Sequence, residues 1–532
     1  LCYKKNELKP SFSNLLTSAE SSILISLPEE EVPGYTIRRV AQFDTDSLNM
    51  RPLTPIIIGQ ILRNWAVTDN TYTIEMSDLT RHGLVAGVTG SGKTTTCFNI
   101  IRQLKQKGIP FLVIESAKSE YRQLLNDSLF HDMLVFTLGD EVPESSAPFR
   151  INPFEVPAGI LVQTHLDFLK SLFRASFVMY APMPYVLEEA LHEVYRDKGW
   201  NLSANTNDRG INNRAFPTLT DLYEKIDEVV FRLGYDERIS KDILAGLKTR
   251  INNLRLGGKG LMLDTNQSVS VDMLMNKPVL LELKKIGNDD EKAFLTGIIL
   301  TRIYEYFEIA RESNLTINKL NHLTLIEEAH RLLKHISEEA SEIEGNARSK
   351  AVEVFCNMLS EIRSYGGGVF VSEQIPSKLA RDVLKNTNLK IMHRIVAKDD
   401  RDIMGDTMNL TEEQKKYATT LEQGRAIVFA EGMDSPFLIY VPIKNVSDKK
   451  IMERPITNQS VYQHMKKNFY TSNEWTLLKY PECKYCSVDK NRCESIREAI
   501  KLILSGQKGR EIFNRLFLTT TLAEPVSDTL RD

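Results

Sequence analysis

The chain has 532 residues, with 67 Lys and Arg against 70 Asp and Glu, a formal net charge of -3, 42% hydrophobic and 26% charged residues. That balance is globular. It excludes a disordered chain and a global polycation, so any nucleic-acid binding has to come from a local patch or from assembly, and the length exceeds one ordinary core. No apolar run of 18 residues, no signal peptide and no disulfide framework are visible, so a cytoplasmic protein without an integral membrane segment is expected.

Residues 1–80 read as an N-terminal connector with short strands. "ILISLPEEEVPGY" (Ile23–Tyr35) is extended, and Pro55–Leu62 and Thr71–Met76 are strands leading into the next domain. From residue 83 short apolar runs alternate with helical segments. Leu84–Val88, Ile109–Glu115 and Asp132–Leu138 are strands, and Thr94–Lys107 is a helix. This alternation predicts an α/β core over 81–445 with a mainly parallel sheet covered on both faces. From about 155 to 272 the apolar spacing becomes helical, which predicts a helical insertion. Strands then resume at Lys277–Leu283, His322–His330, Gly366–Gln374, Leu389–Val396, Gly424–Ala430 and Pro436–Ile443, the last two forming an antiparallel pair. Residues 446–532 form a basic, mainly helical C-terminal region. Within 449–515 there are fourteen Lys and Arg against seven Asp and Glu, which fits either a solvated tail or a contact with nucleic acid or a partner.

Gly87, Gly90, Gly92, Lys93 and Thr94 fit G-x-x-x-x-G-K-[ST] between an apolar strand and a helix. Glycines let such a loop curl until its backbone N–H groups point at phosphate oxygens, and the helix N-terminus adds partial positive charge. Thr89, Ser91 and Thr95 complete the loop. Lys93 supplies a point charge to the β and γ phosphates, and the Thr94 hydroxyl a ligand for Mg²⁺. Hydrolysis needs carboxylates as well. In "LTLIEEAHRLL", Glu327 and Glu328 follow a buried strand, at the end where open α/β sheets bind ligands. Glu327 is expected to hold the metal through water, and Glu328 to orient or activate the attacking water. Gln374, at the end of "GGGVFVSEQ", is expected to touch the γ-phosphate or that water.

In "CKYCSVDKNRC", Cys483, Cys486 and Cys493 give C-x2-C-x6-C. The first pair has the spacing of zinc ligands, with His464 as a distant fourth. A Zn²⁺ site and unligated thiols both remain open.

Taken in order, "GLVAGVTGSGKTTT", "FLVIESAKSEYR", "FRINPFEVP", "HLTLIEEAHRLL", "EIRSYGGGVFVSEQIPSKL" and "NTNLKIMHRIVAKDDRDIM" resemble the HerA-like branch of the HerA/FtsK superfamily of hexameric P-loop ATPases. This branch is also similar to the conjugation-type secretion ATPases. The resemblance covers roughly residues 80–445. It implies a RecA-like core, a homo-hexameric ring, and ATP with Mg²⁺ held between subunits. The family more often has Asp where Glu327 stands, a departure that bears on the metal contact. It further implies an arginine supplied by the neighbouring subunit, an effect of about 10³–10⁵ in rate. Arg363 matches that position best, and Arg394 and Arg401 compete with it. The implied function is a ring ATPase, or ATP hydrolase, that translocates or unwinds double-stranded DNA with a nuclease or other effector partner, an arrangement also met in antiphage defence. A secretion or conjugation motor and an ATP-regulated hexameric scaffold are the alternatives. Asn346, Arg348 and Lys350 lie in a stretch open between a DNA-contacting loop and a plain helical connection. Glu115, Lys118 and Glu120 match the family in type and are candidates for coupling nucleotide state to the interface.

Overall fold

The computed structural model describes residues 17–18, 41–45, 52–142, 144–210, 215–312, 319–335, 342–442 and 454–470. All elements below lie in the compact unit Phe43–Asp532. Eleven strands form one sheet: β1 (Pro55–Arg63), β2 (Ala66–Glu75), β3 (Gly83–Ala86), β4 (Phe111–Glu115), β5 (Leu134–Thr137), β6 (Val279–Glu282), β7 (His322–Glu327), β8 (Gly367–Glu373), β9 (Leu389–Met392), β10 (Arg425–Phe429) and β11 (Phe437–Tyr440). Their order is β2-β1-β11-β10-β9-β3-β8-β7-β4-β6-β5. The seven strands from β9 to β5 are parallel; β10, β11, β1 and β2 continue the sheet antiparallel.

The apolar runs dictate this arrangement. β3, β4, β5, β6 and β9 are buried at every position, as strands covered on both faces must be. β2 instead begins with exposed Ala66 and Val67 and exposed Asp69 and Asn70, as suits an edge. The sequence sets Pro55–Leu62 and Thr71–Met76 ahead of the core, yet β1 pairs with β11 (Gln60 opposite Tyr440), so this hairpin extends the core sheet.

Helix α1 (Lys93–Gln106) follows β3. Between β5 and β6 come α2 (Val162–Ser176), α3 (Met183–Asp197), α4 (Leu219–Leu233), α5 (Glu237–Arg255), α6 (Gly257–Leu263) and α7 (Val271–Asn276). α8 (Asp289–Glu312) leads to β7, and α9 (Glu342–Ser364) to β8. Then come α10 (Arg381–Asn386), α11 (Lys398–Thr407), α12 (Glu412–Ala418) and, last among the described residues, α13 (Asn458–Asn468). The segment "FRINPFEVP" enters the helical region on three successive carbonyls. Arg302 of α8 donates to Asn152 O (3.0 Å), His165 of α2 to Pro153 O (2.9 Å) and Tyr195 of α3 to Phe154 O (2.5 Å). Buried carbonyls need donors, and three helices meet here to provide them. The motif therefore works as a structural anchor.

α13 lies against β5. Met465 Sδ accepts the Val135 N–H at 3.2 Å, His464 Nε2 donates to Met133 O at 2.7 Å, and Phe469 stacks edge-on to Phe136. His464 is thus spent on the core, away from a metal role, and this part of the basic region is packed. Cys483, Cys486 and Cys493 lie outside the described residues. No helix among the described residues is long and apolar enough to cross a membrane.

His322 opens β7. Its Nδ1 donates to Met275 O at 3.0 Å, and burial lowers its pKa from 6.5 to about 4. Between those values the folded state binds fewer protons than the unfolded chain. The ring's contribution to stability is therefore complete above pH 6.5 and is lost as pH falls toward 4. His322→Asn keeps an amide donor for Met275. It is expected to flatten the pH dependence of unfolding free energy by about 1.4 kcal/mol per pH unit between roughly pH 6 and 4.5. Urea denaturation across that range checks this, and an unchanged slope would contradict it.

Candidate active site

The loop between β3 and α1 curls through Gly87, Gly90 and Gly92, at φ 157°, 76° and 122°. A Cβ on Gly87 would meet His393 Cβ at 2.7 Å, and one on Gly92 the His393 ring at 3.0 Å; Gly90 faces open space. His393, just past β9, is therefore the floor of the loop. Its Nδ1 donates to Arg425 O at 3.1 Å, so Nε2 accepts the Thr96 hydroxyl at 2.8 Å. Burial pulls its pKa down to about 4, leaving the ring neutral. The loop's shoulders are pinned by Gly87 N–H to Glu373 O (3.2 Å) and Val88 N–H to Arg394 O (2.9 Å). Ser91 gives both its N–H (3.2 Å) and its hydroxyl (2.7 Å) to Val88 O, which places it inside the curl. No side chain caps α1, so its first N–H groups are available to an anion.

Lys93 Nζ folds back on Gly87 O (2.6 Å) and Val88 O (3.3 Å). Burial lowers its pKa, and the nearby Glu328 and Glu327 work against that. The Thr94 hydroxyl donates to Glu120 Oε2 at 2.9 Å, and Lys118 Nζ holds Glu120 Oε1 at 2.7 Å. Thr89 Oγ1 donates to Gln374 Oε1 at 3.0 Å. Glu115, fully buried beneath this loop, accepts the N–H groups of Glu120 (2.5 Å) and Tyr121 (3.4 Å); burial, with Glu327 adding, pushes its pKa well up.

β7 ends on Glu327. Glu328 then adopts the left-handed conformation, φ 55° and ψ 47°, and its N–H bonds Ser372 O at 3.0 Å. That conformation costs a non-glycine residue about 1–3 kcal/mol, and it turns the chain so that both carboxylates reach the cleft. Burial raises Glu327 to about 7, with Glu120 and Glu328 adding. Burial also raises Glu328, together with the Glu373 charge, while His330, Lys93 and Gln374 oppose the shift.

The result is one open cleft of about 330 Å³ at the carboxyl ends of β3, β7 and β8. It gathers Thr89, Gly90, Gly92, Lys93, Thr94, Thr95, Lys118, Glu120, Glu327, Glu328 and Gln374 from the sequence reading, and adds Ala117, Ser372 and Gln423. An uncapped helix start, a lysine, a threonine hydroxyl and a carboxylate pair suit a nucleoside triphosphate with a hard divalent cation. The cations lining the cleft, among the described residues, are Lys93 and Lys118; no arginine lines it. Arg363 is exposed at the last turn of α9, at the far end of β8, about 20 Å away by strand rise. Arg394 is exposed beside the loop, and Arg401 lies on α11 near Asp402. Residues 342–353, open between a DNA-contacting loop and a plain helical connection, form the first half of helix α9, with Lys350 exposed on it. His393, His330 and Glu373 were missed as site residues. Their one sequence signal is position: each directly follows or ends a buried strand, or sits beside the Glu pair.

The pattern of the helicase HerA central domain matches residues 58–303. A probable helicase of Methanocaldococcus jannaschii is 24% identical over 376 residues, 68% of this chain and 66% of that protein. A probable DNA double-strand break repair helicase HerA of the same organism is 24% identical over 75% of this chain and 78% of its own length. VirB4 of Thermoanaerobacter pseudethanolicus shares the fold at a TM-score of 0.57 and 17% identity, over 75% of this chain and 99% of that one.

Lys93→Ala is expected to weaken nucleotide binding at least about 100-fold, roughly the worth of a charge-assisted pair of contacts. The melting temperature should change little, because Nζ touches only its own loop. Titration with a fluorescent nucleotide analogue reads the first and calorimetry the second; undiminished binding would take the loop out of nucleotide recognition.

Proposed function

Because the chain belongs to the HerA/FtsK-type P-loop ATPases, we propose that it hydrolyses ATP as a homo-hexameric ring and uses the energy to move along or unwind double-stranded DNA, in concert with a nuclease or other effector. The observation that carries this reading is the convergence of Lys93, Thr94, Glu327, Glu328 and Gln374 on one cleft that contains no arginine of its own chain among the described residues.

In this mechanism Lys93 leaves the carbonyls of Gly87 and Val88 for the β and γ phosphates, and the N–H groups of the loop and of α1 take the remaining oxygens. Mg²⁺, when bound, offsets the charge between those phosphates; the Thr94 hydroxyl, released from Glu120, and Glu327 through water are the groups to hold it. Glu328 accepts a hydrogen bond from the attacking water and aligns it with the γ-phosphorus. Gln374, freed from Thr89, reaches the γ-phosphate or the same water. The missing positive charge comes from the neighbouring subunit, with Arg363 as the assigned group. Its distance from its own cleft is what a residue serving another subunit requires. The similarity to the M. jannaschii probable DNA double-strand break repair helicase HerA supports DNA as the track.

The decisive experiment measures ATP turnover with and without double-stranded DNA on protein whose mass is determined in the same buffer. DNA-stimulated turnover by a hexamer is expected. Unstimulated turnover by a hexamer would point to a secretion motor or a scaffold, and a monomer without turnover would overturn the reading. Glu328→Gln should bind ATP yet turn it over about 100-fold or more slowly; a wild-type rate would remove Glu328 from the chemistry. Mixing Arg363→Ala with Lys93→Ala subunits should restore part of the activity each lacks alone, because some interfaces regain both groups. No recovery at any ratio would exclude Arg363 as the shared residue.

A further inference from the structure

Beside the cleft, Glu373 ends β8 with its carboxylate fully buried. It accepts the His330 ring Nδ1–H at 2.8 Å, the His330 backbone N–H at 3.3 Å and the Gln374 N–H at 3.1 Å. The same His330 Nδ1 lies 3.5 Å from Glu328 Oε2. One N–H thus stands between two carboxylates that otherwise face each other across the ends of β7 and β8. The three ligand atoms lie within 4.8 Å of one another. Because Nδ1 already carries its proton toward Glu373, the group reads as a hydrogen-bonded bridge rather than an open metal site.

Two carboxylates this close repel strongly in a partly dry site, and a donor between them removes that penalty. Glu373 cannot retreat: three donors and the strand end fix it. Glu328 can, because its side chain faces the open cleft. We infer that His330 is a positioning residue for the ATP hydrolysis proposed above: held by Glu373, it screens Glu328 from that buried carboxylate and keeps Glu328 aimed at the attacking water. The inference rests on Glu328 acting on that water. It adds a reason for the histidine in "EEAH" and for the glutamate that precedes Gln374. The left-handed backbone at Glu328 belongs to the same device, since it brings His330 and Glu328 onto one side of the turn.

The test uses the full chain and ATP. Asn places an amide N–H where Nδ1 stands, whereas Gln places it where Nε2 stands. His330→Asn is therefore expected to keep turnover within about threefold of wild type. His330→Gln should lower kcat about tenfold or more, with ATP affinity within about threefold; each tenfold corresponds to about 1.4 kcal/mol. Adding Glu373→Gln to His330→Gln should recover several-fold of the lost kcat, because it removes the charge that displaces Glu328. A packing role alone gives the opposite order, with the double variant worse than either single. The inference is overturned if the double variant is no better than His330→Gln, or if ATP affinity falls in step with kcat. Wild-type turnover in Glu328→Gln would instead sink the underlying assignment of Glu328, whatever the histidine variants do.

Discussion

Four neighbouring parallel strands end on glutamate. In sheet order, β8, β7, β4 and β6 finish at Glu373, Glu327, Glu115 and Glu282. Parallel strands place their carboxyl ends along one edge, so the acids form a row, and burying such a row is costly unless each member is answered. Glu373 is answered by His330 and two backbone N–H groups, and Glu115 by the N–H groups of Glu120 and Tyr121. Glu282 is answered by the Arg122 guanidinium, which also reaches Asn458 of α13. Glu327 is the member that faces the cleft. Tyr121 and Lys118 favour its charge, but burial outweighs them. The sheet therefore leaves one acid only partly compensated where a cation is wanted, and the rest of the site is arranged around it.

The groups that would meet a nucleotide are not idle in this state. Lys93 is on loop carbonyls, Thr94 on Glu120, and Thr89 on Gln374. Binding is thus an exchange of contacts, and each exchange frees a group on a different element: Glu120 after β4, Gln374 after β8. Only differential contacts shift a conformational equilibrium, and these two loops are where such contacts change. With a nucleotide bound as proposed, Lys118, Glu120 and Gln374 would give its presence a way to be felt outside the phosphate loop.

Much of this was legible in the sequence because it is local. The strand runs, the phosphate loop and the Glu pair after a Leu-Thr-Leu-Ile strand all carry their signal within a dozen residues. What escaped joins distant residues. His393 floors a loop some 300 positions earlier, with Thr96 and His393 separated by 297 residues; Glu373 meets His330 across 43. No spacing rule reports such pairs. The β1–β2 hairpin was read as a lead-in because its partner, β11, lies near the other end of the core. The helix over 342–364 defeated one expectation of a loop because charged residues at its start mask the apolar spacing that α9 acquires later, at Val352, Phe355, Leu359 and Ile362.

The packing of α13 on β5 has a consequence for how the chain is made. β5 is complete by Thr137, but the helix that covers its margin begins at Asn458, about 320 residues later. At synthesis rates of roughly 5–20 residues per second, that margin stays uncovered for about 16–64 s. During that interval the outer edge of Leu134–Thr137, a buried and mostly apolar segment, is open to pairing with another chain. A nascent chain with that margin open is therefore expected to gain from shielding until α13 arrives.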